Sequence, residues 1–395
     1  MKNFVSSVQS FFKMETATGI VLIASVAIAM LVANTGLYTM YSHLSHSEFT
    51  LKLLGIDLEK DFHFFVNDGL MVVFFFLISL EVKREFVSGE LSNPRNVILP
   101  AAAALGGLIV PIAIYHFFNF GTETQNGWAI AAATDIAIAF GLLALAGKNT
   151  PTSLKVFLMT LAIFDDVMVI GIIAFFFTES LNYNYLIASV VCSLVLWYMN
   201  KKNVENFAPF AIVGFVLWYC VYMSGIHATI AGIVLGMFIP MSPRKIYDNE
   251  GKAHERRSML ESLEHTLHET VSFFILPIFA FVNAGVAILA QDISGLTSNV
   301  SLGIILGLIV GKQFGVFATV FILVKAKVAP MPQGANWLQM YGIAALCGVG
   351  FTMGLFIGGL SFDDPTVQYK LPILVGSAIS GVIGLSVMKY SLRNK

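Results

Sequence analysis

The chain has 395 residues, 57% of them hydrophobic and only 12% charged, with a net charge of −1 at pH 7. That balance excludes a soluble globular protein of ordinary composition, and the near-zero charge gives no basis for a nucleic-acid partner. It predicts an all-α polytopic membrane protein, in which the 33 glycines let helix backbones approach closely and unwind locally.

Lys2 and Lys13 precede an apolar run that lacks a small-x-small cleavage site, so the N-terminal segment reads as a retained first helix. Membrane spans are predicted at about 16–33, 68–80, 97–118, 128–147, 154–177, 185–199, 207–223, 226–239, 271–290, 300–324, 338–360 and 371–388. This gives twelve segments; the second and eighth are short in apolar length and are expected to extend with polar ends. With the N-terminus inside, Lys52, Lys60 and Lys370 fall in outside loops, Lys312 lies within a span, and all other members of the 23 Lys and Arg fall inside. A miscounted span would swap the side of every later loop, so twelve spans with both termini cytoplasmic are expected.

Between the first two spans, Phe49, Leu51 and Leu53 alternate with polar residues before Gly55 and a second run through Ile56 and Leu58. This pattern predicts a small outside β-hairpin at about 45–60. The segment 240–258 reads as a charged inside loop. Cys192, Cys220 and Cys347 show no disulfide or zinc spacing and read as packing residues. No linker is visible, and residues 1–395 are expected to form a single polytopic membrane domain.

Chemistry concentrates where charge interrupts these spans. Asp165 and Asp166 stand together at the middle of 154–177, and a carboxylate at the bilayer centre costs about 2.5 to 3.5 kcal/mol on insertion scales. Such residues mark ion or proton pathways more often than they merely lock helices. Successive helix positions point about 100° apart, so one aspartate is expected to take a cation and the other a different partner. Thr134-Asp135 adds a third buried carboxylate with a hydroxyl beside it, an oxygen set suited to a hard cation or to protons and not to a soft metal. Lys312, midway along its span, needs a counter-ion, and an aspartate is the expected one, either as a structural pair or as a participant in proton exchange.

The stretch Gly348-Val349-Gly350-Phe351-Thr352-Met353-Gly354 makes a continuous helix costly. A break there would expose backbone carbonyls and half-helix ends in mid-membrane, whereas the alternative is tight glycine packing between straight helices. An interrupted span flanked by a charged one occurs in spans 3–5 and recurs in spans 10–12, which points to inverted-topology repeats. Ahead of the ninth span, Glu261, Glu264, His265 and His268 recur at three- and four-residue spacing. They form a polar stripe that either senses internal pH or is a solvated helix face. His227, opening the eighth span, reads as a cap or packing residue.

From about Met14 to Met388 the chain resembles the NhaA family of bacterial sodium/proton antiporters. The matching stretches are Asn67-Asp68-Gly69-Leu70-Met71, Leu80-Glu81-Val82-Lys83-Arg84-Glu85, Thr134-Asp135-Ile136-Ala137, Phe164-Asp165-Asp166 and Gly225-Ile226-His227-Ala228-Thr229. Leu276-Pro277, Phe279-Ala280-Phe281 through Asn283-Ala284-Gly285, Gly311-Lys312 and Gly350-Phe351-Thr352-Met353 match as well. Ser79 and Gly354 depart from the pattern, where Gly and Ser are more usual.

The resemblance implies two crossed, partly unwound helices, the fourth and eleventh, whose facing dipoles are balanced by Asp135 and Lys312. It implies Asp166 as principal Na⁺/Li⁺ ligand, Asp165 as a second site residue that binds protons or pairs with Lys312, and Thr134 as a neighbouring ligand. Spans 3–5 and 10–12 would form the ion-binding core, with spans 1–2 and 9 as an interface region. Asp68 and Glu81 would line the outer and inner ends of the second helix, and Glu264, His265 and His268 would belong to a cytoplasmic pH-responsive region. The hairpin would support a homodimer in the lipid of a bacterial inner membrane. The expected activity is electrogenic, pH-regulated exchange of cytoplasmic Na⁺ or Li⁺ for external H⁺ by alternating access, without cofactor and without enzymatic chemistry. An intramembrane aspartyl protease would need a dyad on facing helices, but no Gly-x-Gly-Asp surround occurs and Lys312 would disrupt a shared proton. A passive cation channel fits less well, because the polar residues cluster at mid-span instead of lining a continuous path.

Overall fold

The computed structural model describes residues 16–53, 56–92, 94–147, 149–178, 181–242, 244–247, 253–288, 294–362, 364 and 366–393. Lys2, Lys13, Lys148, Lys252 and Lys395 of the charge pattern, and Gly55 of the hairpin, lie outside them. In chain order the elements are α1 (Ala17–Ala33), α2 (Tyr38–Ser45), β1 (Glu48–Leu53), β2 (Ile56–Asp61), α3 (Met71–Ser88), α4 (Pro94–Asn119), α5 (Ile136–Ala146) and α6 (Thr152–Phe176). Next come α7 (Tyr183–Lys201), α8 (Phe207–Met223), α9 (Thr229–Phe238), β3 (Arg244–Tyr247), β4 (Ala253–Arg256), α10 (Met259–Thr270) and α11 (Leu276–Ala284). The last are α12 (Asn299–Leu306), α13 (Lys312–Lys325), α14 (Trp337–Leu346), α15 (Phe351–Ser361) and α16 (Lys370–Arg393). π-Helical turns at Phe65–Leu70, Val271–Ile275 and Gly307–Gly311 lead into α3, α11 and α13, and a 3₁₀ helix, Gln125–Ala132, precedes α5.

Each predicted segment overlaps a helix, although 271–290 passes the helix end at Ala284 and its last two residues lie outside the described ones, and the span count is coarser than the sequence suggests. Among the described residues seven helical runs are long and apolar enough to cross a membrane. Two bent pairs, α1 with α2 at 115° and α14 with α15 at 42°, bring that to nine. The second segment extends with polar ends as expected: Phe62–Ser88 runs 27 residues, because Asp61 caps its start by accepting from Phe64 N at 2.9 Å and the π-turn carries Asn67 and Asp68 within the helix. The ninth begins earlier than its apolar run, at Met259, where Ser258 and Glu261 form a capping box.

The outside hairpin is present, with β1 and β2 antiparallel in the register Glu48↔Asp61 to Leu53↔Ile56. A second antiparallel hairpin, β3–β4, occupies part of the expected charged loop, and α2 was not foreseen. The charges that mark 240–258 as polar do not distinguish a paired strand from a loop.

The chain divides into two compact units. The first comprises Met1–Ser45, Asn93–Val169 and Ala280–Lys395, and the second His46–Ser92 and Ile170–Phe279. In the first, α4 lies against α13 at backbone distance. A Cβ at Gly315 would stand 2.2 Å from the Gly106 carbonyl oxygen. Leu143, Leu158, Leu161, Val316, Ile343 and Met388 fill its core.

In the second unit α3 and α9 meet through small residues. A Cβ at Gly232 would stand 2.2 Å from the Val72 carbonyl oxygen, and Ser79 Oγ donates to the Ile233 carbonyl at 2.8 Å. Lys83 Nζ then closes the C-terminal end of α9, donating to the Met237 and Ile239 carbonyls at 2.8 and 2.7 Å, where a cation also meets the negative end of the helix dipole.

This contact predicts that Gly232→Ala lowers stability in detergent by about 1–3 kcal/mol through overpacking against backbone. Gly171→Ala, with nothing within 4 Å of the added carbon, is neutral or slightly stabilising. Paired thermal unfolding curves of the two variants test the difference.

Candidate functional site

In the first unit two helical segments stop part-way and resume. The 3₁₀ helix ends at Ala132, Ala133 and Asp135 are extended, and α5 begins at Ile136. The second break separates α14, ending at Leu346, from α15, beginning at Phe351. The breaks touch through backbone: Asp135 N donates to the Val349 carbonyl at 2.6 Å. Only glycine tolerates this approach at Gly350, where a Cβ would stand 2.9 Å from the Ala133 carbonyl oxygen.

Breaking a helix in an apolar interior leaves amides and carbonyls to be satisfied. Asp135, 2% exposed, serves both downstream half-helices. Its Oδ1 accepts from Ile138 N at 3.1 Å in the first turn of α5. Its Oδ2 accepts from Thr352 N at 3.0 Å and Thr352 Oγ1 at 2.5 Å in the first turn of α15. One carboxylate thus sits at two positive dipole ends. Ser377 Oγ accepts from Gly350 N at 3.2 Å, and Ser380 Oγ donates at 3.3 Å to the Leu308 carbonyl within the π-turn that precedes Lys312.

Against this crossing, α6 presents Asp165 and Asp166, 1% and 5% exposed. Lys312, wholly buried at the start of α13, donates from Nζ to Asp165 Oδ2 at 2.6 Å. Thr134 Oγ1 lies 2.6 Å from the same oxygen and 2.9 Å from the Cys347 carbonyl just past α14, so its single proton serves one acceptor at a time. Asp165 Oδ1 is buried with no hydrogen-bond partner among the described residues. Gly107 lets α4 approach α13 one turn beyond the lysine: a Cβ there would be 2.8 Å from Val316 Cγ2. The result is a buried cluster of oxygen atoms around one lysine ammonium, with one Asp165 oxygen left over. That chemistry binds a proton or a small hard cation.

The remaining predicted residues belong to the second unit. Asp68 lies in the π-turn ahead of α3, and Trp218 Nε1 donates to its carbonyl at 2.8 Å. At the other end of α3, His268 Nδ1 stands 3.5 Å from Glu81 Oε1, Arg84 Nε 3.3 Å from Glu264 Oε2, and Arg84 Nη2 2.8 Å from Glu85 Oε1. Arg84, Arg257, Glu261, Glu264, His265 and His268 line a cavity of about 440 Å³ there. His265 contributes to that wall.

Sequence reasoning missed the partners of these groups. Thr352 was legible only as part of the glycine-rich motif, and nothing along the chain indicates that it meets Asp135. The Cys347 contribution is a backbone carbonyl, on which side-chain identity carries no signal. Arg84 was readable as an inside charge but not as the link to Glu264.

The buried pair makes a stability prediction. Lys312→Met leaves Asp165 unpaired and destabilises by about 3–5 kcal/mol at alkaline pH, while Lys312→Met/Asp165→Asn recovers most of the loss. The deficit of the single variant shrinks as pH falls, because proton uptake removes the orphaned charge. Thermal unfolding in detergent across pH measures both effects.

Known proteins resemble the chain along nearly its whole length. The family model described as Na⁺/H⁺ antiporter 1 matches residues 9–388. The chain is 45% identical over 394 residues to the Na(+)/H(+) antiporter NhaA of Psychrobacter cryohalolentis, covering 99% of this chain and 96% of that protein. It is 47% identical over 395 residues to the NhaA antiporter of Campylobacter concisus, covering 99% and 95%. Against that of Aeromonas hydrophila it is 42% identical over 393 residues, covering 98% and 97%.

Proposed function

The chain belongs to the Na⁺/H⁺ antiporter 1 family and exchanges Na⁺ for H⁺ as a multi-pass bacterial membrane protein, and we propose that the exchange runs through Asp165 and Asp166. The observation that carries this reading is the unequal treatment of the Asp165 oxygens. Oδ2 is held by Lys312 and approached by Thr134, while Oδ1 is buried without a hydrogen-bond partner among the described residues, beside a second buried carboxylate. A proton and a Na⁺ ion compete for that remaining capacity, so loading one releases the other.

Asp166 is the principal cation ligand in this reading, with Asp165 and Thr134 completing the oxygen set and Li⁺ as an alternative cargo. Thr134 registers which state prevails. When Asp165 is ionised the hydroxyl proton points to Oδ2, and when Asp165 is neutralised it turns to the Cys347 carbonyl at the end of α14. The charge state of the site is thereby coupled to α14, which ends at the break across which Asp135 caps α15 through Thr352. Asp135 and Lys312 compensate the helix ends and the site charge while the cargo changes.

The wider scheme is alternating access, with cytoplasmic Na⁺ leaving as more external protons enter, across a bacterial inner membrane. It comprises twelve spans in one transport domain with inverted repeats, both termini cytoplasmic, Asp68 on the outer path, and a homodimer formed through the β1–β2 hairpin. The Glu81, Glu264, His265 and His268 cluster makes the exchange pH-responsive at the cytoplasmic end. The family resemblance and the charge asymmetry of the loops support these features.

Replacing Asp166 with Asn abolishes Na⁺-driven proton movement in everted vesicles or proteoliposomes, at least about a hundredfold for the loss of a charged ligand that contributes about 3 kcal/mol, while the variant remains folded. Retained exchange at alkaline pH would overturn the assignment.

A further inference from the structure

Lys312 reaches Asp165 from the first residue of α13. It directly follows the π-turn Gly307–Gly311, where the regular i→i−4 ladder is interrupted. The next residue, Gln313, is 6% exposed and points to a different neighbour. Its Oε1 accepts a hydrogen bond from the Tyr341 hydroxyl of α14 at 2.9 Å, and its Nε2 has no hydrogen-bond partner among the described residues. A buried amide held through one side only is kept at a cost, which apolar packing at the same position would avoid.

The location of this contact gives it a role. Tyr341 lies on the half-helix whose end carries the Cys347 carbonyl, and Lys312 and Cys347 both converge on Asp165, the first directly and the second through Thr134. An edge-to-face contact of Phe317 on the Tyr341 ring, centroids 5.7 Å apart, fixes the phenol's direction one turn beyond Gln313. We propose that Gln313 and Tyr341 are positioning residues for the exchange site: their hydrogen bond pins α13 to α14 immediately after the π-turn and so sets the reach of Lys312 to Asp165. This rests on reading Asp165 and Lys312 as part of the exchange site.

Of the titratable groups, Lys312 on α13 touches Asp165, Asp166 follows it on the same helix, and Cys347 after α14 is joined to it through Thr134, whose chain neighbour is Asp135. The Tyr341–Gln313 hydrogen bond acts on them through the placement of Lys312. A less well placed ammonium favours the ionised carboxylate less, and higher pH is then needed to empty the site of its proton.

The test is Na⁺-dependent proton exchange in proteoliposomes as a function of pH for Tyr341→Phe, Gln313→Met and the double variant, with Trp197→Phe, exposed on α7, as a control. Each single variant moves the half-activation pH to the alkaline side by about half a unit, a roughly threefold change in proton competition. The double variant moves it no further than the larger single effect, and the control leaves it in place. Tyr341→Phe removes one oxygen atom, and detergent unfolding confirms that it folds. Superimposable pH profiles for Tyr341→Phe and the unaltered protein, or single effects that simply add, would overturn the positioning role. Should Asp165→Asn retain full pH-dependent exchange, the site reading itself fails, an outcome distinct from an unmoved Tyr341→Phe profile.

Discussion

The first unit depends on keeping two opposite charges buried against each other. Lys312 and Asp165 meet at 2.6 Å with both side chains fully buried. Desolvation makes such a pair a weak contributor to net stability even when its geometry is good. Its presence therefore calls for a reason other than stability, and the second oxygen of Asp165, without a partner among the described residues, supplies one. A carboxylate that is half satisfied accepts a proton or a cation more readily than one whose lone pairs are all engaged.

The surroundings are built to hold that unfinished state. Two segments interrupt their helices at the same place, which local propensity alone would disfavour, and Asp135 offsets the loss by capping both resumed halves. Glycines allow the breaks and neighbouring helices to approach to backbone distance, while Ser377 and Ser380 satisfy groups freed by the break and the π-turn. In this unit the departures from regular helix are concentrated where the chemistry is, the pattern expected when function competes with local stability.

The second unit shows the same economy in a wetter setting. Its polar residues cluster beside α3 and α10 and pair across short distances, His268 with Glu81 and Arg84 with Glu264, around a cavity large enough for solvent. The two π-turns of this unit stand next to polar groups, one containing Asp68 and the other coming directly after the helix that carries His268. The third precedes Lys312 in the first unit. A π-turn inserts an extra residue into a helix and rotates the turns beyond it, a small adjustment that re-aims a polar side chain without ending the span.

The sequence by itself determined that the chain crosses a membrane, where the apolar helices run, and where the costly residues are. Apolar length, basic-residue asymmetry and a carboxylate in mid-span are all properties of consecutive residues. It also carried the outside hairpin, through alternation around Phe49, and the family, through Phe164-Asp165-Asp166 and Gly350-Phe351-Thr352-Met353. It did not carry the β3–β4 hairpin or the turn into α2, because strand pairing and a 115° bend are set by neighbours in space. The partners were decided only by the tertiary structure. Asp135 with Thr352, Thr134 with the Cys347 carbonyl, and Tyr341 with Gln313 join residues that are 217, 213 and 28 positions apart. Hydropathy and spacing report how much burying a group costs, whereas the atoms that satisfy it are those the packed helices bring within about 3 Å.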